Sequence, residues 1–331
     1  MKPVLYDKDA VVTMITAGKS LLLAGDEKSL RDLPLGSWIA GTIPYFMGEK
    51  GGVFTQDHIY VTELPDYMLK NAVKIYDEHN IEQIYNDAPQ HGFSVIIIPA
   101  SSPTHFTFAL KAPGFPGFAT RPLIGWIAGT ALHEQGHFAK VFDGARGQAL
   151  TNGAVVWHVE LPANKLAEID IVNIFEQGDG DTIIFSEDGF SATTALINGQ
   201  TENFADYLSG NNIDTRLPLV ANLQGAMINT SFQGVDKTRK QVNFYAPVFA
   251  GFRYKIAKPV GDYGEHFFTE VPEVPEGVGN KIFFACNCIL NYLYADLEGR
   301  EMTHFTGPVT FGEIAYQLLN QTMAYLTIED V

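Results

Sequence analysis

The sequence predicts a mixed α/β (α+β) fold, made of repeated strand–helix–strand–hairpin units in two pseudo-symmetric halves, with packed mixed sheets flanked by helices. The leading observation is a near-duplicate: Gly36-Ser37-Trp38-Ile39-Ala40-Gly41-Thr42 returns as Gly125-Trp126-Ile127-Ala128-Gly129-Thr130, each copy after a Pro-Leu pair (Pro34-Leu35, Pro122-Leu123). Each copy then leads through a polar, glycine-containing stretch to an alternating segment that closes on Glu-Leu-Pro, at Glu63-Leu64-Pro65 and Glu160-Leu161-Pro162. Each is also preceded by a short apolar run, Leu21-Leu22-Leu23 or Val95-Ile96-Ile97-Ile98, of the length and composition of a buried strand. Self-similarity on this scale means copies of one supersecondary unit.

In chain order, Asp9 to Ala17 reads as a helix, Leu21 to Leu23 as the first opening strand, and Trp38 to Thr42 as the first signature strand. Asp66 to Asn80 has Tyr67, Leu69, Ala72, Val73 and Tyr76 at roughly helical spacing, with Asp66 as N-cap, and is expected to be helical. In the second copy Thr104 to Lys111 is a helix, Pro113 to Gly117 a turn, and Phe138 to Phe142 and Ala154 to Val159 are strands. The seam between halves falls at Asn164 to Asp181, where Gln177-Gly178-Asp179-Gly180-Asp181 is a turn signal. The halves are therefore 1–165 and 166–331. Two weaker copies follow. In the third, Ile183 to Phe185 opens, Thr201 to Leu208 is helical, Leu217 to Ala226 stands for the signature, and Val242 to Ala246 and Val248 to Ile256 are strands. In the fourth, Ile282 to Cys286 opens, Phe305 to Ile314 is the signature and Gln321 to Ile328 closes.

The balance of 22 basic against 38 acidic residues, a formal charge of −16, repels phosphate backbones, so nucleic acid is not an expected partner. The N-terminus reaches Asp7 and Asp9 before any apolar run, and no apolar stretch approaches the ~18–20 residues of a membrane span. Only two cysteines occur, Cys286 and Cys288, which suits a reducing compartment. A cytoplasmic protein without membrane contact is the expectation.

The ordered signatures resemble the FIST family of sensory domains, with its N-terminal and C-terminal modules. Gly36-Ser37-Trp38-Ile39-Ala40-Gly41-Thr42-Ile43 resembles the family's early Gly-x-x-x-Ala-Gly-x-Ile element. Gly125 to Thr130, Val141-Phe142-Asp143-Gly144 and Gly153-Ala154-Val155-Val156 are similar to its middle elements. Phe284-Ala285-Cys286, Gly307 to Ala315 and Asn320-Gln321-Thr322 are similar to its C-terminal trio, the sharpest part of a match that spans the whole chain in order. The departures are Trp38 and Trp126 where small residues are usual, Thr130 in place of Asp, and no Arg shortly after Cys286. The resemblance implies a divergent, stand-alone bacterial member, a small-molecule-binding signal-transduction module whose signal passes to a separate protein. The residues that would line its site are Trp38, Thr42, Trp126, Thr130, Cys286 and Glu313, at the meeting of the two halves.

Competing chemistry is present. His133-Glu134-Gln135-Gly136-His137 fits His-Glu-x-x-His, in which two histidines one helical turn apart ligate zinc and the glutamate is the base; Asp143 lies where a third ligand can stand. That pairing needs a helix, whereas the segment follows a signature strand and contains Gly136, so a loop is expected and the zinc hydrolase is the alternative. Haem is a second alternative, since some FIST-like proteins are haem-binding gas sensors and His105, His133, His137 or His304 could supply an axial ligand. Otherwise no cofactor is expected. Cys286-Asn287-Cys288 lies at a strand end, where a buried thiol is the plain reading. The signature glycines permit close backbone approach, and the two tryptophans suit either core or pocket wall.

Overall fold

A computed structural model describes residues 4–134, 136–223, 226–271, 282–302 and 304–331. The fold is mixed α/β: mixed sheets dominate, with short helices against them. The first unit shows why. Asp7 caps helix Lys8–Thr16 by accepting the Ala10 N–H, and the helix buries Val11 and Ile15. The all-buried run Leu21–Gly25 forms a strand, Asp26 caps the short helix Glu27–Leu30, and the signature Trp38–Thr42 returns parallel to the opening strand. The closing strand Ile59–Glu63 then pairs antiparallel on the opening strand's other edge.

The same connectivity recurs twice. In the second unit, Gly92–Pro99 opens, Ser102 caps helix Pro103–Lys111, Leu123–Ala128 returns parallel and Ala154–Glu160 closes. In the next, Ile282–Cys288 opens, helix Ile289–Tyr294 connects, Gly307–Thr310 returns parallel and Met323–Asp330 closes. An additional antiparallel strand lies outside each closing strand: Leu5–Tyr6, Lys70–Tyr76 and Lys165–Val172. The sheet connectivity thus repeats twice before residue 165 and once after it.

Each of the six-stranded sheets of these three units is completed by a hairpin from another unit. Tyr45–Gly48, of the hairpin after the first signature, pairs with Gly307–Thr310. Val141–Asp143, after the second, pairs with Trp38–Thr42, and Glu313–Ala315, after the last, pairs with Leu123–Ala128. The cycle is closed, and one large apolar cluster runs through all three units.

Between Val172 and Ile282 the chain inserts a further layer, whose described residues form a core of their own while Val220, Ala257 and Phe267 join the large cluster. Its six-stranded sheet contains Ile183–Ile184, Tyr254–Ile256 and Leu219–Leu223 as neighbours, and a three-stranded sheet is centred on Gln241–Val248. The weak third copy therefore has an order of its own: its closing strand lies between opening and signature strands. Gln224 and Gly225 of that signature lie outside the described residues.

Four expectations need correction. The strand expected over Phe138 to Phe142 begins only at Val141, in Val141–Asp143, and the one expected over Val248 to Ile256 is no single strand: Gln241–Val248 ends at its first residue, and Tyr254–Ile256 is separate. Asp66 to Asn80 is not a helix; Lys70–Tyr76 is a strand with seven registered pairs to Ala154–Glu160. The competing period is two, with β-branched Val73 and Ile75 packing inward between exposed Ala72 and Lys74, and an unpaired strand edge outweighs weak helical spacing. In the insertion, Gln200–Asn203 is a strand and the helix begins only at Phe204, capped by Asn203.

Candidate functional site

The three signature ends meet. Gly129 N–H donates to the Thr42 carbonyl at 2.7 Å, Ile127 N–H to the Gly312 carbonyl at 2.8 Å, and Phe311 N–H to the Ile127 carbonyl at 3.1 Å. Ligands of open α/β sheets bind beyond the carboxyl ends of parallel strands, and two cavities open at those ends here. One, of about 480 Å³, lies beyond the first parallel pair and is lined by Asp26, Lys28, Arg31, Thr42, Glu134 and others. The second, of about 570 Å³, lies beyond the second pair, between that unit and the insertion. Gly129, Thr130, His137 and Phe138 line both.

The two cavities differ in chemistry. The first is charged, and its charges are engaged: Lys28 pairs with Asp57 at 3.0 Å, Glu27 with Lys140 at 2.5 Å, and the Gln56 amide donates to Asp26 and Glu134 at 3.0 Å each. The second is walled by Phe106, Phe138, Phe190, Tyr245 and Phe311, with Ser101, Thr130, His137, Ser191, Gln233 and Asn243 as polar groups. Among the described residues lining it there is no Lys, Arg, Asp or Glu.

His105 lines the second cavity. Its Nδ1 accepts the Ser101 N–H at 3.1 Å, and burial holds the imidazole down at about 4. The ring is therefore neutral at physiological pH, and since Nδ1 is an acceptor the proton sits on Nε2. Nε2 is buried and has no hydrogen-bond partner. The position is set locally. Ser101 turns the chain out of the strand with φ 60°, and Ser102 Oγ accepts the His105 N–H as the helix begins.

A family model described as a family of unknown function (DUF6976) matches residues 6–329. The chain belongs to this family. No curated protein and no solved structure matches it. The DUF6976 match takes in all three units and the insertion, so the cavity between them lies wholly inside the family's extent.

Of the expected site residues, Thr42 and Thr130 stand at the cavities. Trp38 lies in the cluster beneath the first helix, its indole N–H donating to the Pro34 carbonyl at 2.8 Å, its ring over Gly144. Trp126 is fully buried, stacked on Phe284 at 5.4 Å with its indole edge over Gly41. The tryptophans thus fill space that glycines of a neighbouring strand or hairpin leave open.

Cys286 and Glu313 lie together in the sealed core. Glu313 takes hydrogen bonds from the Thr322 hydroxyl at 2.8 Å, the Thr322 N–H at 3.3 Å and Thr310 Oγ1 at 3.3 Å. Burial nevertheless pushes its carboxyl up to about 8, against those bonds. The Cys286 thiol donates to the Gly125 carbonyl at 3.3 Å, and burial, then the neighbouring Glu313, raises both thiols well above the usual range. Protonated thiols without solvent access are structural rather than nucleophilic.

Glu134 and its flanks form a turn and loop, and Gln135 lies outside the described residues. His133 packs edge-on against Phe54 at 5.4 Å, Glu134 is held by Gln56, and buried Asp143 is occupied by the Ala145 and Arg146 N–H groups and the Arg146 guanidinium. Among the described residues no group of three or more His, Cys, Asp or Glu is placed to hold a metal ion. His304 is exposed. Sequence reasoning missed Phe106, Phe138, Phe190, Tyr245 and Phe311. Phe138, 73% exposed on a loop, carries a signal in its polar surroundings, whereas Phe190 and Tyr245 reach the cavity only through the insertion.

Proposed function

We propose that this protein is a non-enzymatic small-ligand-binding module of sensory type, with its ligand in the cavity between the second unit and the insertion. The observation that carries the reading is the wall chemistry: five aromatic side chains around a cavity whose described lining holds no Lys, Arg, Asp or Glu. Binding pockets are mostly apolar with a few placed polar groups, and here Ser101, Thr130, Gln233 and Asn243 stand among the aromatic rings. The resemblance to the FIST sensory domains points the same way. Cavity walls drawn from two layers suit a sensor, because a ligand there touches the second unit and the insertion at once. The signal would pass to a separate protein. A cytoplasmic setting agrees with the charge of −16 and two buried free cysteines, and among the described residues no helix is long and apolar enough to cross a membrane.

The test is a thermal-shift screen of a metabolite panel on the native protein and on a Phe106→Ala/Phe138→Ala double variant. Both side chains are exposed, so the variant should fold normally while losing the stabilising hits. Hits that persist unchanged in the variant, or a panel without hits, would overturn the assignment.

A further inference from the structure

Resting on that reading, we infer that the ligand is an arylalkylamine that spans both cavities, its ring in the aromatic one and its protonated amine beside Asp26 and Glu134 in the charged one. The two cavities share a wall: Gly129, Thr130, His137 and Phe138 line both. At Gly129 that wall is bare backbone, its N–H bonded to the Thr42 carbonyl at 2.7 Å. A Cβ there would stand 2.5 Å from Phe311, so only glycine leaves room beside that ring. His137 and Phe138 are exposed, and the wall is therefore finished by solvent-facing side chains rather than by packed core.

The two ends of the ligand follow from what each cavity presents. On the aromatic side, Phe106 and Phe190 meet edge to face at 5.0 Å, and such clusters favour a further ring, stacked or edge-on. On the other side the charge balance is negative. Asp26, Glu27 and Glu134 line the first cavity against Lys28 and Arg31. Three ion pairs reach outward from it: Glu27 with Lys140 at 2.5 Å, Lys28 with Asp57 at 3.0 Å and Arg31 with Asp32 at 3.6 Å. Among the described residues that makes five carboxylates against three cations, a surplus that protonation of His137 alone would not cancel. Asp26 and Glu134 are the two left over. Both accept from the one neutral amide of Gln56, at 3.0 Å each, and the Lys28 ammonium that they also attract is bonded to Asp57. A protonated amine supplies the missing countercharge, whereas a carboxylate or phosphate would add to the surplus. Phe138, on the shared wall, offers the same cation an aromatic face.

The experiment is titration calorimetry with four probes: tryptamine, 3-methylindole, which keeps the ring without the amine, indole-3-propionate, which carries an anion instead, and propylamine, which lacks the ring. Tryptamine should bind tightest. Glu134→Gln and Asp26→Asn, the second of which keeps a good helix cap, should each weaken tryptamine by roughly fivefold, the upper range for a partly exposed ion pair, and leave 3-methylindole within about twofold. Glu168→Gln, the same loss of charge on the exposed strand Lys165–Val172, lines neither cavity and should leave tryptamine unchanged. Equal or tighter binding of 3-methylindole, indole-3-propionate or propylamine, losses shared by 3-methylindole or by Glu168→Gln, or no binding by any probe overturns the inference. Failure here alongside metabolite hits that vanish in the Phe106/Phe138 variant removes only the amine and the second cavity; hits indifferent to that variant remove the aromatic site itself.

Discussion

Replacing Glu313 by Gln should make the folded protein more stable at neutral pH while leaving it nearly unchanged in mild acid. The carboxyl titrates near 4.5 when exposed and is pushed to about 8 by burial. A group whose folded value is raised gives its full stability below the unfolded value and loses it as pH rises through the folded one. At about 1.4 kcal/mol per tenfold change in proton ratio, the native state loses about 2.5 kcal/mol between roughly pH 5 and pH 7 on this group alone. The amide has no such term. It can keep the Thr322 bonds on its carbonyl, and its NH₂ can meet Thr310 Oγ1, whose single proton then serves the Asn287 or Gly312 carbonyl, at 3.2 and 3.1 Å. Urea unfolding of both proteins from pH 5 to pH 8 provides the assay. The native curve alone is ambiguous, because buried His105 and His158 titrate in the opposite sense. The difference between the two proteins isolates Glu313, and the pH-independent cost of the amide cancels from its slope. A difference that stays flat from pH 5 to pH 7 would show that the carboxyl is ionised in the folded state and refute the reasoning.

His158 gives the acid-side counterpart: burial, then Lys74, lowers it to about 4, so its contribution is present above about 6.5 and lost as pH falls, and His158→Gln should recover about 2 kcal/mol at pH 5 relative to pH 7 in the same assay. A flat difference would count against that. Gly125→Ala should abolish soluble expression, because its Cβ would lie 1.7 Å from the Ile96 carbonyl oxygen, whereas Gly210→Ala, open at a helix end, should be neutral or raise stability by about 0.5–1 kcal/mol. Equal behaviour of the two in a melting curve would contradict the close-approach account. The Phe106→Ala/Phe138→Ala protein should melt within a few degrees of the native one and lose cavity ligands, and a collapse of its melting transition would show these rings to be structural.

What the sequence made legible were the local rules. The apolar runs Leu21 to Leu23 and Val95 to Ile98, the turn residues and the duplicated signature place parallel pairs, helices and hairpins in their order. The loop at His133 was readable too, from Gly136 and its position after a strand. Non-local pairing was not readable. Nothing near Tyr45 says that its hairpin pairs with Gly307–Thr310, and nothing in Lys70–Tyr76 names Ala154–Glu160 as partner. The site was half legible for the same reason. Thr42 and Thr130 follow from the signature, but the aromatic wall from Phe190 and Tyr245 depends on how a 100-residue-scale insertion folds back, which no periodicity encodes. Trp38 and Trp126 illustrate the remaining ambiguity, since the same dipeptide context places both over glycines of other segments, in two different clusters.

The exchange of hairpins explains why so many polar groups are buried near the last turn. A sheet finished by another unit's hairpin, here Glu313–Ala315 with Gln317–Leu319, brings the bend that follows the hairpin into the interior, and there its backbone and side chains need partners. Asn320-Gln321-Thr322 supplies them in three directions. The Asn320 carbonyl accepts from Asn229, and Gln321 accepts from Ser231 and donates to the Tyr263 hydroxyl at 3.1 Å; both reach the insertion. Thr322 holds Glu313 through its hydroxyl, and its carbonyl accepts from Asn291 and Cys288. Gln321 adopts φ 48° to make this divergence possible. One tripeptide therefore fastens the insertion to the strand pair Glu313–Trp126, whose signature strand continues to Gly129 at the cavity. The insertion can supply a wall to that cavity because its strands are anchored at the far end by this turn, and Glu313 is sealed because the same turn covers it.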